Sequence, residues 1–218
     1  MVSSDTVYVK NVSKEMSKRL VLDDVTVTFG PGKIYGLSGP NGSGKTMLLR
    51  AIAGLIHPDR GEVIVFGDRI GRDVSFPSKM GLTLGAMGLF ADKTGLDNLR
   101  LLASVRGLIT DVEIRDSMAR VGLDPDDRRL YGSYSLGMKQ RLCIAQAIME
   151  RPKLILLDEP TNALDFDGKN LVRRLVRRER DRGATIIVAS HDKEDLDYLC
   201  EAKYFLYDGR LIGDGRDD

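Results

Sequence analysis

The sequence is poor in cysteine, carries almost no net charge and has no long apolar run, and each lack excludes something. Two cysteines in 218 residues cannot staple a fold. Cys143 and Cys200 both sit in helical runs and read as reduced thiols of a cytosolic protein. Lys and Arg number 33 against 32 Asp and Glu, so bulk charge gives no reason to expect nucleic acid or an anionic membrane surface as partner. No stretch approaches the roughly 20 apolar residues of a membrane-spanning helix. The first ten residues lack the basic-then-apolar pattern of a signal peptide. Repeats, low-complexity tracts and Pro/Ser-rich linkers are also missing. With an apolar share of 42% and a charged share of 30%, what is left is one well-buried domain with room for a small subdomain.

The pattern along the chain predicts an α/β fold. β-type runs come first, at Val7–Val9, Val25–Phe29 and Ile34–Leu37, with Gly30-Pro31-Gly32 as the turn between the last two. A glycine-rich stretch, Gly39–Thr46, opens a helical pattern carried by Met47, Leu48, Ala51, Ile52 and Leu55, and Gly61–Phe66 reads as a further strand. The middle is helical: Leu96–Arg106, then Val112–Val121 with Thr110 or Asp111 as N-cap, then Leu136–Met149. Strand and helix alternate again from Leu154, with strands at Leu154–Leu157 and Ala184–Ala189 and helices at Gly168–Arg182 and Asp192–Cys200. Two short strands close the chain. Strands buried on both faces and alternating with helices predict a parallel core sheet. The expected organisation over residues 1–218 is a β/P-loop core (1–84 and 154–218), an N-terminal antiparallel β subdomain within it, and an inserted α-helical subdomain (85–153).

Gly39-Pro40-Asn41-Gly42-Ser43-Gly44-Lys45-Thr46 fits the pattern G-x-x-x-x-G-K-[ST] and falls between a strand and a helix, as a phosphate-binding P-loop requires. Glycines let backbone N–H groups converge on phosphate oxygens, and the helix N-terminus favours their charge. Lys45 is expected to reach the β- and γ-phosphates and the Thr46 hydroxyl to ligate Mg²⁺. Chance would supply such a match with odds on the order of one in a hundred for average composition.

The apolar strand Leu154–Leu157 ends in Asp158-Glu159. Asp158 is thereby set at the carboxyl end of a parallel strand, where α/β ligand sites form, and is expected to hold Mg²⁺ directly or through water. Glu159 points differently and can polarise an attacking water as general base. Alone, two acids after an apolar run would more often be a strand and its turn; beside a P-loop they read as functional. His191 follows the strand ending at Ser190 on the same sheet edge and can reach a γ-phosphate. His57, in Leu55-Ile56-His57-Pro58-Asp59, reads as a surface turn residue.

Together these residues resemble the nucleotide-binding domains of the ABC family over nearly the whole chain. Tyr134-Ser135-Leu136-Gly137-Met138-Lys139-Gln140-Arg141 resembles the family's signature loop. By that resemblance Ser135, Gly137 and Met138 face the γ-phosphate held by a second nucleotide-binding subunit. Pro160–Asp165 resembles the D-loop, which brings Asp165 to the dimer interface, and Ser190-His191 resembles the switch histidine. The resemblance implies an ATPase in which two cassettes, identical or different, sandwich two MgATP and energise a separate transmembrane permease from the cytoplasmic face of the cell membrane. The Tyr-Ser-Leu-Gly-Met form is similar to that of bacterial bacitracin and lantibiotic-resistance exporters.

Two positions depart from the family. A gapless match from Met80 to Leu99 sets Gly85 where the family has a glutamine that approaches Mg²⁺, so a water is expected to take that place. Met16 falls where the family has an aromatic residue stacked on adenine. A thioether against a ring contributes about 0.3–1.5 kcal/mol and base–aromatic stacking about 1–3 kcal/mol. Weaker and less base-selective ATP binding is expected.

The arginines at 173, 174, 177, 178, 180 and 182 are expected to form a solvated helix face opposite Leu171, Val172, Leu175 and Val176. Met87, Leu89 and Phe90 read either as a docking surface for the membrane subunit or as packing beneath their own loop. Rival functions are a soluble ABC ATPase, a cassette that switches without turnover, and a small-molecule P-loop kinase. The kinase would need neither the signature loop nor Ser190-His191. DNA-maintenance relatives carry long coiled-coil insertions, and translation-type relatives carry two cassettes; this chain has neither.

Overall fold

Period-two burial builds the first sheet. β1 (Val7–Met16), β2 (Arg19–Phe29), β4 (Arg60–Val65) and β5 (Asp68–Arg69) pair antiparallel in the order β2-β1-β4-β5. Both long strands outrun their predicted apolar segments because register shifts after Val9 and Val12 interrupt the alternation that marks a strand in sequence. Ser17 and Lys18 join them with φ of 49° and 64°, the doubly left-handed backbone of a two-residue type I′ hairpin. That tight turn sets Met16 opposite Arg19 at the hairpin tip. This computed structural model describes residues 5–84 and 88–215; Gly85 and Met87 lie outside the described residues.

The core sheet has the order β10-β9-β3-β8-β7-β6. It comprises β3 (Ile34–Ser38), β6 (Met80–Leu84), β7 (Leu154–Asp158), β8 (Thr185–Ala189), β9 (Ala202–Tyr207) and β10 (Arg210–Gly215). All neighbours are parallel except β10, which runs antiparallel to β9. β6 was not predicted. It is an edge strand with every second residue half-buried, and Gly81 interrupts its apolar pattern. That glycine is needed for close approach: a Cβ there would lie 1.7 Å from the Ala147 carbonyl oxygen of the overlying helix.

Among the described residues six α-helices accompany the strands: α1 (Lys45–Ala53), α2 (Gly95–Arg106), α3 (Asp111–Arg120), α4 (Leu136–Ile148), α5 (Phe166–Asp181) and α6 (Lys193–Leu199). The N-cap of α3 is Thr110, which forms a reciprocal capping box with Glu113. β7 distributes its side chains between two cores. Leu154 and Leu156 join Phe29, Leu48, Leu49 and Ile52 between the antiparallel sheet, α1 and the core sheet. Ile155 and Leu157 join Leu99, Met118, Leu142, Val172 and Leu175 of the helices on the other side. Such two-sided burial holds the carboxyl end of β7 rigidly. Among the described residues no helix is long and apolar enough to cross a membrane.

The arginines of α5 correct the expectation of a solvated face. Arg174 and Arg178 are exposed, but Arg173 is buried and donates through both Nε and Nη2 to Asp195 Oδ1. Arg173 and Arg177 lie over the Tyr198 ring at 4.8 and 4.1 Å from its centroid. Arg180 pairs with Glu201 and Asp181, and Arg182 with Glu179. Asp195 and Glu201 come from elements distant in sequence, which no local pattern reveals, whereas Asp181 and Glu179 are local partners within the last turn of α5. Leu89 packs against the helical core, whereas Phe90 is half exposed.

Glu179 is 2% exposed and accepts from Arg120 of α3 and from Arg182 at 2.5 Å, tying the helical layer to α5. Removing a buried partner strands its opposite charges. Glu179→Ala is expected to lower stability by about 3 kcal/mol, read as a lower urea midpoint with an unchanged slope.

Candidate nucleotide site

The loop between β3 and α1 curls around its own lysine. Gly39 (φ 141°) and Gly44 (φ 109°) have backbones that other residues rarely adopt. A Cβ would lie 2.1 Å from the Leu206 carbonyl oxygen at Gly39 and 2.7 Å from that of Val21 at Gly44. Lys45 Nζ donates to the carbonyls of Gly39 at 2.7 Å and Pro40 at 3.0 Å. Burial of the ammonium pushes its pKa down, while the nearby carboxylates of Glu159 and Asp158 push it back up. The buried Ser43 hydroxyl has no hydrogen-bond partner among the described residues, so the loop presents an unused polar group as well as its backbone.

A cleft of about 450 Å³ opens over this loop, lined by residues 41–47 with Met16, Arg19, Val21, Asp158 and Glu159. Asp158 ends β7, opposite Leu84 and Ala189, and accepts from the Thr46 hydroxyl at 2.8 Å. A hydroxyl and a carboxylate at that spacing are hard oxygen donors suited to Mg²⁺, an ion that keeps waters and takes phosphate oxygens for the rest of its shell. The pair fits such an ion. Among the described residues no group of three or more His, Cys, Asp or Glu could hold a metal unaided. Burial raises the carboxyl pKa of Asp158; Thr46 opposes the rise, Glu159 adds to it, and Lys45 and Arg50 oppose it.

Glu159 leaves the sheet with φ of 49°, which turns its side chain away from that of Asp158. Its own N–H donates to Ala189 at 2.8 Å. The carboxylate accepts from the His191 backbone N–H at 3.0 Å and the Ser190 hydroxyl at 3.2 Å, and meets His191 Nδ1 at 2.8 Å. An ionised carboxylate only accepts, so the Nδ1 contact requires the tautomer with a proton there. Gln140 of α4 donates to the Glu159 carbonyl at 3.2 Å. Ser190 and Gln140 were not predicted to touch the acid, because both reach it only through the fold.

The remaining predicted residues lie elsewhere. Ser135 caps α4 by accepting from Met138 N–H at 3.2 Å. Gly137 lies against Ala163, whose carbonyl oxygen would stand 3.2 Å from an added Cβ. The Met138 sulfur faces Arg129 at 3.8 Å. Asp165 caps α5 through Gly168 N–H at 2.8 Å. None of the four is among the described residues lining the cleft. Met16 does line it, at the hairpin tip. His57 is exposed, as expected.

The sequence profile of the ABC transporter family matches residues 22–162. The chain belongs to the ABC transporter family. The uncharacterized ABC transporter ATP-binding protein YybJ of Bacillus subtilis (strain 168) is 46% identical over 94% of both chains. The bacitracin transport ATP-binding protein BcrA of Enterococcus faecalis is 33% identical over 97% of this chain and 70% of its own. The lantibiotic transport ATP-binding protein SrtF of Streptococcus pyogenes is 33% identical over 94% of this chain and 88% of its own. Among solved structures, a dimeric ATP-binding cassette in a post-hydrolysis state with ADP and phosphate superposes with a TM-score of 0.86 at 25% identity, covering 96% of this chain and 98% of that one. This cassette is the ATP-binding subunit of an ABC transporter and hydrolyses ATP to ADP and phosphate. Cassettes of the family form dimers and pair with transmembrane subunits.

The raised pKa of Asp158 means that the folded chain binds this proton more tightly than the unfolded chain. Folding therefore loses stability as pH rises from the ordinary carboxylate range through the raised value. Asp158→Asn keeps an acceptor for Thr46 and removes the buried charge. Without nucleotide, the variant is expected to melt above the native chain at neutral pH, and the gap should close as the pH falls below the ordinary range. Equal melting curves at neutral pH would contradict the assignment.

Proposed function

We propose that the Gly39–Thr46 loop holds the triphosphate of ATP, that Glu159 is the general base, and that two cassettes close over two nucleotides to drive an exporter. The observation that carries the reading is the Glu159 carboxylate, gripped by His191 and Ser190 on the cleft that also contains Lys45, Thr46 and Asp158. The backbone N–H groups of Gly39, Asn41, Gly42, Ser43 and Gly44, leading into α1, take the phosphate oxygens, while Pro40, which has no N–H, shapes the loop. Lys45 exchanges its two carbonyl partners for the β- and γ-phosphates. Thr46 and Asp158 hold Mg²⁺, which supplies neutralising charge to the phosphates when bound. Glu159 accepts the proton of the attacking water, and His191 fixes the carboxylate while reaching toward the γ-phosphate. Met16 lies under adenine.

Ser135, Gly137 and Met138 of a facing cassette, with Asp165 beside them, complete each site. Their position outside their own cleft supports a role in the opposite one. We read residues 85–153 as the helical subdomain and 1–84 with 154–218 as the core. Relatives named for bacitracin and lantibiotic transport support an exporter role. On this reading the cassette sits peripherally on the cytoplasmic face of the membrane, bound to a separate permease.

Glu159→Gln is expected to slow ATP turnover by about 10²- to 10⁴-fold and to trap an ATP-bound dimer visible by size-exclusion chromatography. Unchanged phosphate release would remove Glu159 from the mechanism. Met16→Tyr is expected to tighten ATP binding by about fivefold, a difference of roughly 1 kcal/mol between thioether and aromatic stacking. Calorimetric titration with ATP measures it.

A further inference from the structure

A second link between the segments flanking Glu159 lies two residues past it and is fully buried. Thr161, 3% exposed, donates its hydroxyl to Asp195, itself 1% exposed on α6. Asp195 also receives Arg173 of α5, with Nε at 2.7 Å and Nη2 alongside. Lys169 Nζ lies 2.8 Å from Asp192 and 3.9 Å from Asp195. Lys169, Arg173 and Arg177 recur every fourth residue on α5, and Asp192, Asp195 and Tyr198 every third on α6, so two facing helix stripes interlock.

The ends of this zipper are what give it chemical reach. α5 follows directly on the Pro160–Asp165 loop, and α6 begins one residue beyond His191, after its N-cap Asp192. Thr161 shapes that loop, since its carbonyl accepts from Leu164 N–H at 3.2 Å, while Glu159 accepts from Asn162 N–H at 3.2 Å. On the other side, Ser190 Oγ accepts from Asp192 N–H at 3.0 Å and donates to Glu159. Both walls of the Glu159 pocket are therefore pinned to Asp195, one through Thr161 and the other through the first turn of α6.

We infer that Thr161 and Asp195 are positioning residues for the Glu159–His191 pair, holding the loop after the general base in register with the switch histidine. The inference rests on Glu159 acting as base. Neither residue touches the nucleotide cleft, so the link acts on turnover and leaves ATP binding alone.

Thr161→Val removes the hydroxyl at almost constant shape, and Thr161→Ser keeps it. Steady-state ATP turnover of the purified chain is expected to fall roughly tenfold in kcat for Thr161→Val, with KM for ATP changed less than about twofold. Thr161→Ser should restore most of the loss. Arg177→Ala opens the same zipper away from Asp195 and serves as a control matched for melting temperature; its kcat should stay near the native value. The inference is overturned if Thr161→Val turns over normally while Glu159→Gln is dead, which leaves the base assignment standing. It is also overturned if Arg177→Ala lowers kcat as much as Thr161→Val, since the effect would then be loss of stability alone. Normal hydrolysis by Glu159→Gln would sink the base and the link together.

Discussion

Beyond Asp158 the chain leaves the core sheet through Glu159, a residue with left-handed backbone, and the candidate site is arranged around that step. A non-glycine residue in this conformation costs roughly 1–2 kcal/mol. The step is held by the Glu159 N–H on Ala189 and by Gln140 on the Glu159 carbonyl. Its result is that two adjacent carboxylates diverge, one toward Thr46 and the other toward His191. Adjacent carboxylates sharing one environment would oppose each other's ionisation; the turn gives them separate partners and separate tasks.

The step is held against a strand, β7, anchored on both of its faces. Its side chains alternate between two independent cores, and neighbouring parallel strands flank it on both sides. Side-chain exchange in either core leaves the other gripping the strand. The helical layer shares one of those cores and gains an ionic tie besides, with Glu179 between Arg120 and Arg182.

The local motifs were legible because their chemistry is contiguous. Gly39–Thr46, Asp158-Glu159 and Ser190-His191 each announce a function within a few residues, and the cleft brings the first two together with Met16. Most helices were also legible from apolar spacing and capping, as at Thr110. What escaped depends on contacts distant in sequence. β6 is half exposed and interrupted by Gly81, whose purpose is visible only once α4 lies over it. Ser17-Lys18 forms a type I′ turn without the usual glycine or asparagine. Arg173 reads as a surface residue until Asp195, 22 positions away, neutralises it.

On the proposed reading, Lys45 resting on the carbonyls of Gly39 and Pro40 makes nucleotide loading an exchange of acceptors. An ammonium left alone in a buried cleft would be costly. The two carbonyls satisfy that ammonium and bind the loop to itself. An arriving triphosphate then meets a cradle already folded, and its binding energy is not consumed in ordering the chain.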